Sequence, residues 1–185
     1  TSTLSTIAHA FRVLTIKRAY LLCLFMVATL VPIQAQQQGS WQAFLAYYDV
    51  TRIVEGGGRV WVLASGNVMS YDVNTGESTT YSKGSPLSDA SIADINFNAT
   101  VRALLVLYSN GNIDILHADG SVVNVPDYYN KAMTEDKTVT NIVMAGRHAY
   151  LTTMFGIIKL NMARGEIDDT YNMGTQVNDV LVEGN

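Results

Sequence analysis

Gly66-Asn67-Val68-Met69-Ser70-Tyr71-Asp72-Val73-Asn74-Thr75-Gly76-Glu77 is a pattern that the chain uses three times. Gly111-Asn112-Ile113-Asp114-Ile115-Leu116-His117-Ala118-Asp119-Gly120-Ser121 follows it, and so does Gly156-Ile157-Ile158-Lys159-Leu160-Asn161-Met162-Ala163-Arg164-Gly165-Glu166. The opening glycines, Gly66, Gly111 and Gly156, are spaced by 45 and 45 residues. The closing glycines, Gly76, Gly120 and Gly165, are spaced by 44 and 45. A fixed period of this size is the mark of a repeat architecture.

Working outward, each repeat opens on a matched apolar run: Val50-Thr51-Arg52-Ile53, Ile92-Ala93-Asp94-Ile95 and Val139-Thr140-Asn141-Ile142. A fourth copy, Val177-Asn178-Asp179-Val180, begins near residue 185. A turn leads to a second apolar run, such as Val60-Trp61-Val62-Leu63-Ala64 or Ala149-Tyr150-Leu151-Thr152. The opening glycine then sits in a tight turn to the third run. Asn110-Gly111 predicts a type I′ hairpin there, because both central residues of that turn need positive φ. The closing glycine predicts a second hairpin with glycine in the left-handed position. A polar fourth run follows, such as Ser78-Thr79-Thr80-Tyr81.

Four short strands every 45 residues are one blade of a β-propeller. The expected fold is all-β: three four-stranded antiparallel blades at about 50–82, 91–125 and 139–171, plus the first strand of a fourth from 177. The first two runs are apolar on both faces, as strands sandwiched between blades must be. The fourth is polar, as an outer edge strand must be. A β-sandwich also has many short strands, but nothing in it requires turn glycines at a fixed period. Trp61 and Tyr150 are expected at equivalent buried positions. Propellers close with about 4–8 blades, so the array reads as an incomplete propeller. Residues 36–185 are then expected to need the remaining blades of their own propeller, because an open array leaves apolar sheet faces in water.

Residues 1–35 stand apart. Arg12, Lys17 and Arg18 precede the apolar run from Ala19 to Val31, and Pro32, Gln34 and Ala35 follow it. This is the pattern of a secretory signal peptide cut after Ala35. A core of 13 residues is short of the roughly 20 that span a bilayer. Cys23 follows Leu22, where lipid attachment would want a small residue, so a lipoprotein is not expected. Losing residues 1–35 removes three of 12 basic residues and none of 16 acidic ones, leaving nine against 16, a net −7. No cysteine would remain, so the fold relies on its core rather than on disulfides. The acidic balance argues against nucleic acid and anionic bilayers as partners. No membrane span is expected in the mature chain.

Catalytic, metal and cofactor sites are not expected. His117 and His148 fall in different repeats, with no cysteine to join them. Asp168-Asp169 is a poor acid/base pair, because neighbours on a strand point to opposite faces. Asp72, Asp114 and Asp119 lie in or near turns, where aspartate hydrogen-bonds its own backbone. Gly56-Gly57-Gly58 joins strand to strand, and a phosphate cradle needs a helix after it. Asn98-Ala99-Thr100 has the form of a glycosylation sequon. Asp127-Tyr128-Tyr129-Asn130-Lys131-Ala132-Met133-Thr134-Glu135-Asp136 is a long connection, and long connections of repeat folds gather on one face, often the binding face.

With these features assembled, residues 36–185 resemble the N-terminal propellers of the PorZ family of the type IX (Por) secretion system. The resemblance is carried by Ser40-Trp41-Gln42, Leu45-Ala46-Tyr47-Tyr48, Gly84-Ser85-Pro86-Leu87-Ser88-Asp89 and Tyr108-Ser109-Asn110-Gly111-Asn112-Ile113-Asp114. One departure is the linker, which more usually reads Gly-Leu-Ser-Asp and here reads Ser85-Pro86-Leu87-Ser88-Asp89. The resemblance implies a surface protein of the outer membrane, in a complex that receives exported cargo and attaches it to anionic lipopolysaccharide. It implies a non-catalytic module with protein partners, located in the periplasm or at the cell surface. The blade pattern is also similar to the extracytoplasmic sensor propellers of hybrid two-component receptors, which is the alternative reading. A quinoprotein enzyme, a third, lacks any cofactor constellation here.

Overall fold

The computed structural model describes residues 48–183. The expected signal peptide, 1–35, and the aromatic stretch 40–47 lie outside the described residues. The first sheet holds β1 (Val50–Gly56), β2 (Arg59–Ala64), β3 (Asn67–Asp72), β4 (Ser78–Lys83) and a two-residue β5 (Pro86–Leu87). The second holds β6 (Ile92–Asn98), β7 (Ala103–Tyr108), β8 (Ile113–His117) and β9 (Val122–Val125). A helical turn, α1 (Asp127–Asn130), precedes the third sheet of β10 (Val139–Ala145), β11 (His148–Thr153), β12 (Gly156–Asn161) and β13 (Glu166–Asn172). Each sheet is an antiparallel meander of four strands in chain order. The linker strand β5 is an addition, pairing parallel to β4 through Ser82–Pro86 and Lys83–Leu87.

The sheets stack as blades, with β1 against β6 and β6 against β10. Period-two alternation sends successive side chains of one strand into different interfaces. On β7, Leu104, Val106 and Tyr108 join Trp61, Leu63, Val68 and Ile95 between the first two blades. Ala103, Leu105 and Leu107 join Ile142, Leu151, Ile158 and Leu160 between the second and third. All six residues of β7 are therefore buried. At about 1.5–3 kcal/mol for each large apolar side chain, these two interfaces are the core.

The outer blades differ on their far sides. Ile53 of β1 is 62% exposed, and Val60 and Val62 of β2 are half-buried. Tyr150 corrects the expectation of burial: it is half-buried, whereas Trp61 is 3% exposed. The two match in register, Trp61 opposite Val54 and Ser70, Tyr150 opposite Val143 and Lys159. Trp61 is covered by Phe97 of the next blade, with ring centroids 6.5 Å apart. Among the described residues no complete blade covers Tyr150.

The turns after the second strands also differ from expectation. Asn110 does not have positive φ; Ser65 (φ 49°) and Gly66 (φ 73°) do. The type I′ geometry thus belongs to Ser65-Gly66. At Asn110-Gly111 the Gly111 amide donates to Tyr108 O and the Tyr108 amide to Asn112 O, closing a three-residue loop. Gly156 is the first residue of β12, and a side chain there would overlap the Tyr171 carbonyl oxygen. Its glycine is required by a close backbone approach.

Candidate functional site

The linker between the first two blades is pinned to the middle of the second. Leu87 is 1% exposed and sits in the interface core. The next amide, of Ser88, donates to Asp114 Oδ2 at 2.8 Å. The Tyr108 hydroxyl donates to the same oxygen at 2.5 Å. Asn124 Nδ2 donates to Asp114 Oδ1 at 2.8 Å and to Asn112 Oδ1 at 2.9 Å. Asp114 is fully buried, at 0% exposure. A buried carboxylate is tolerated when its oxygens accept several hydrogen bonds, as they do here. Burial, followed by the Asp114 hydrogen bond, pushes the Tyr108 phenol above its ordinary range.

Asp114 thus caps no turn: it is the second residue of strand β8. The turn role suits Asp72, whose Oδ1 accepts from the Asn74 and Thr75 amides, and Asp119, whose Oδ1 accepts from Ser121. Further along the linker, Asp89 Oδ1 accepts from the Ala90 amide and Lys83 Nζ, and Oδ2 accepts from Asn110 Nδ2 at 2.7 Å. The Ala90 amide first, then Asn110 and Lys83, hold its carboxyl below the usual range.

The hairpin tip 109–112 connects this linker to the insertion. Asn110 grips Asp89, and Gly111 rests on the Tyr128 ring. Tyr128 of α1 is 1% exposed, packs at 6.4 Å from Phe155, and donates its hydroxyl to Lys137 O at 2.9 Å. Lys137 Nζ donates back to Tyr129 O at 2.8 Å. Tyr129 itself is 50% exposed. Segments 84–91, 109–112 and 126–138 therefore form one braced face. A cavity of about 250 Å³ opens beside it, lined by Ala93, Leu107, Tyr108, Ser109, Lys137, Thr138 and Val139.

A second set of contacts runs from blade to blade along the first strands. Arg52 Nε and Nη2 donate to the Asp94 carboxylate at 2.7 and 2.6 Å. Asn96 Nδ2 donates to Ile142 O at 2.8 Å, and Asn141 Nδ2 to Asp179 Oδ1 at 3.2 Å. Arg52, Asp94, Asn141 and Asp179 occupy the third place of the matched opening motif. In β1, β6 and β10 the register slips beside that residue. The signal was in the sequence, as a polar residue at one fixed place in four apolar runs, but sequence reasoning assigned it no role.

The remaining glycines close hairpins. Gly76, Gly120 and Gly165 have φ of 75°, 86° and 68°, and their amides donate to Asp72 O, His117 O and Asn161 O. The structure does not bring His117 and His148 together. His148 Nε2 lies 2.9 Å from Asp168 Oδ2, whose other oxygen takes Arg164. Among the described residues no group of three or more His, Cys, Asp or Glu side chains is placed to hold a metal ion. Asn98 of the sequon is 1% exposed, and its Oδ1 caps the Thr100 and Val101 amides. No helix among the described residues is long and apolar enough to cross a membrane.

Stacked four-stranded meanders, inner strands cross-linked by polar side chains, and connections braced on one face define part of a β-propeller. The chain belongs to the family of PorZ N-terminal β-propeller domains of the type IX secretion system, whose model matches residues 60–185. PorZ of Porphyromonas gingivalis, an essential bacterial surface component of that system, is 33% identical to it, with a TM-score of 0.69 over 75% of this chain and 19% of PorZ. The chain thus spans 19% of the length of that protein. The extracellular domain of a one-component system of B. thetaiotaomicron is 14% identical, with a TM-score of 0.59 over 75% of this chain and 18% of that one. That of a hybrid two-component system of the same organism is 18% identical, with a TM-score of 0.51 over 67% and 17%. These last two share the fold. Among curated proteins none matches.

Proposed function

We propose that this chain is a non-catalytic binding module of a cell-surface type IX secretion and attachment complex, which docks protein partners on its braced face. The observation that carries this is the joining of linker, hairpin tip and insertion into one unit. Asp114 holds the linker, Asn110 holds Asp89, and Tyr128 holds the insertion while leaving Tyr129 in solvent. A side chain presented from a preorganised loop binds without a large ordering cost, and tyrosine is favoured at the centre of interfaces. Long connections of repeat folds gather on one face, often the binding face. The N-terminal 35 residues would export the chain, and cargo delivered to the complex would be joined there to anionic lipopolysaccharide. A sensor propeller has only the shared fold behind it.

The test is complementation in a host carrying this system. A strain lacking the gene is expected to lose surface attachment of secreted cargo. The wild-type gene should restore it, and Tyr129→Ala combined with Lys131→Glu should not, while the protein accumulates to normal levels. Photo-crosslinking from position 129 should capture other components of the system. Full restoration by the double variant would overturn the choice of face. Normal cargo attachment in the deletion strain would overturn the function.

A further inference from the structure

Asn110-Gly111 is the one Asn-Gly pair in the 185 residues, and its asparagine is exposed to water. Asparagine before glycine carries a reaction of its own. The Gly111 amide nitrogen attacks the carbonyl carbon of the Asn110 side chain, a C–N bond forms, and ammonia leaves. Water then opens the cyclic imide to aspartate or isoaspartate. The net change is one side-chain amide and one water to one carboxylate and one ammonium. Glycine favours the step because no side chain crowds the attacking nitrogen.

Hydrogen bonds on both reacting groups oppose that ring closure. Asn110 Nδ2 donates to Asp89 Oδ2 at 2.7 Å, and Asn110 Oδ1 accepts the Asn112 amide at 2.9 Å. The Gly111 amide donates to Tyr108 O at 2.9 Å, so its proton is not open to a base. Closure must turn the side-chain amide onto the Gly111 nitrogen, which breaks the two side-chain bonds and strips the third. Gly111 is itself buried, and a Cβ on it would stand 3.2 Å from the Tyr128 ring. The tip therefore cannot swing without disturbing α1. Reaction is confined to molecules in which the tip has opened locally.

The product does not fit the grip that restrains it. A carboxylate at position 110 has no proton to donate to Asp89 Oδ2, and it sets like charges against each other where the 2.7 Å bond stood. Asp89 is ionised, since the Ala90 amide, then Asn110 and Lys83, hold its carboxyl below the usual range. Lys83 Nζ already serves Asp89 Oδ1, and its side chain is 62% exposed. Lys137 Nζ, on the other side of the tip, donates to Tyr129 O. One solvated ammonium does not neutralise both carboxylates. Without the Asp89 grip, the linker keeps its bond from Ser88 to Asp114 and loses its hold on the tip.

We propose that Asn110-Gly111 is a self-modification site, restrained by Asp89, whose carboxylate product releases the linker from the hairpin tip. The inference rests on the hairpin geometry and is independent of the secretion reading. The full natural polypeptide is incubated at mildly alkaline pH, and peptide mass mapping reads the conversion of Asn110. The folded protein is expected to convert about tenfold or more slowly than the same protein unfolded in guanidinium at that pH. Asp89→Ala should convert several-fold faster than wild type while folded. Equal folded and unfolded rates would overturn the restraint, and an unchanged rate in Asp89→Ala would remove Asp89 from it. Asn110→Asp should speed amide hydrogen exchange in 88–91 and lower Tm below that of Asn110→Ala, which loses the bond without gaining a charge. Adding Asp89→Asn to Asn110→Asp exchanges donor and acceptor and should restore both. Exchange and Tm equal to those of Asn110→Ala, or an absence of rescue, would overturn the release. If the variants do not fold, the converted fraction of aged wild-type protein, separated by its added negative charge, decides the release by the same exchange measurement.

Discussion

The Tyr108 hydroxyl donates to Asp114 Oδ2 at 2.5 Å, on the oxygen that also accepts the amide of linker residue Ser88. The two side chains are six residues apart and lie in adjacent strands of one hairpin. The linker arrives from the preceding blade, 26 residues upstream of Asp114. One buried carboxylate therefore couples the conformation of a connection to the packing of a blade.

Removing one partner of this group should be costly. Tyr108→Phe leaves the buried carboxylate one donor short, and the expected loss is about 1–3 kcal/mol. Asp114→Ala should lose more, because the Ser88 amide and the Tyr108 hydroxyl are both orphaned. Urea unfolding checks the order, and equal stability of Tyr108→Phe and wild type would refute the coupling.

The pair of Arg52 and Asp94 should behave differently. Its side chains are 45% and 18% exposed, and pairs open to water contribute about 0–1 kcal/mol. Arg52→Met is expected to have a small effect at low ionic strength that fades as salt is added. Thermal melts across a salt series read this directly.

Alkaline pH should destabilise the fold through Tyr108 and Tyr128. Burial is the first cause that raises both phenols, followed by an acidic neighbour. A phenol raised in the folded state contributes stability that is complete below the unfolded value of about 10 and is lost as pH climbs beyond it. Tm should therefore fall above about pH 10. In Tyr108→Phe the fall should be shallower, and an unchanged slope would remove Tyr108 from the account.

Gly66 and Gly156 occupy corresponding repeat positions and should respond unequally to alanine. A Cβ on Gly66 meets nothing within 4 Å, so Gly66→Ala carries only the left-handed backbone cost, about 1–2 kcal/mol. A Cβ on Gly156 would strike the Tyr171 carbonyl and force β12 from β13. Gly156→Ala should cost more than Gly66→Ala, and chemical unfolding of the two variants decides it.

The strands and their order were legible because hairpins are local. Alternating apolar residues and turn glycines act over a few residues, as in the turns at Gly76, Gly120 and Gly165. The candidate face was legible only in part. The length of the 127–136 connection showed in the sequence, but the anchoring of Tyr128 beneath Gly111 did not, since it depends on a partner in another hairpin. Asp114 misled for the same reason. Nothing in its neighbours distinguishes an aspartate that caps a turn from one that receives an amide 26 residues away.

Composition and period by themselves determined the class: short strands, four to a unit, repeated every 45 residues, on an acidic chain. Tertiary structure decided which of two equivalent residues is buried. Trp61 and Tyr150 occupy the same register, yet Phe97 stacks on Trp61 while Tyr150 borders a cavity. It decided too that Ser65-Gly66, and not Asn110-Gly111, takes the type I′ turn. The 109–112 tip is held by Asp89 on one side and Tyr128 on the other, and those long-range contacts outweigh the local preference of an Asn-Gly pair.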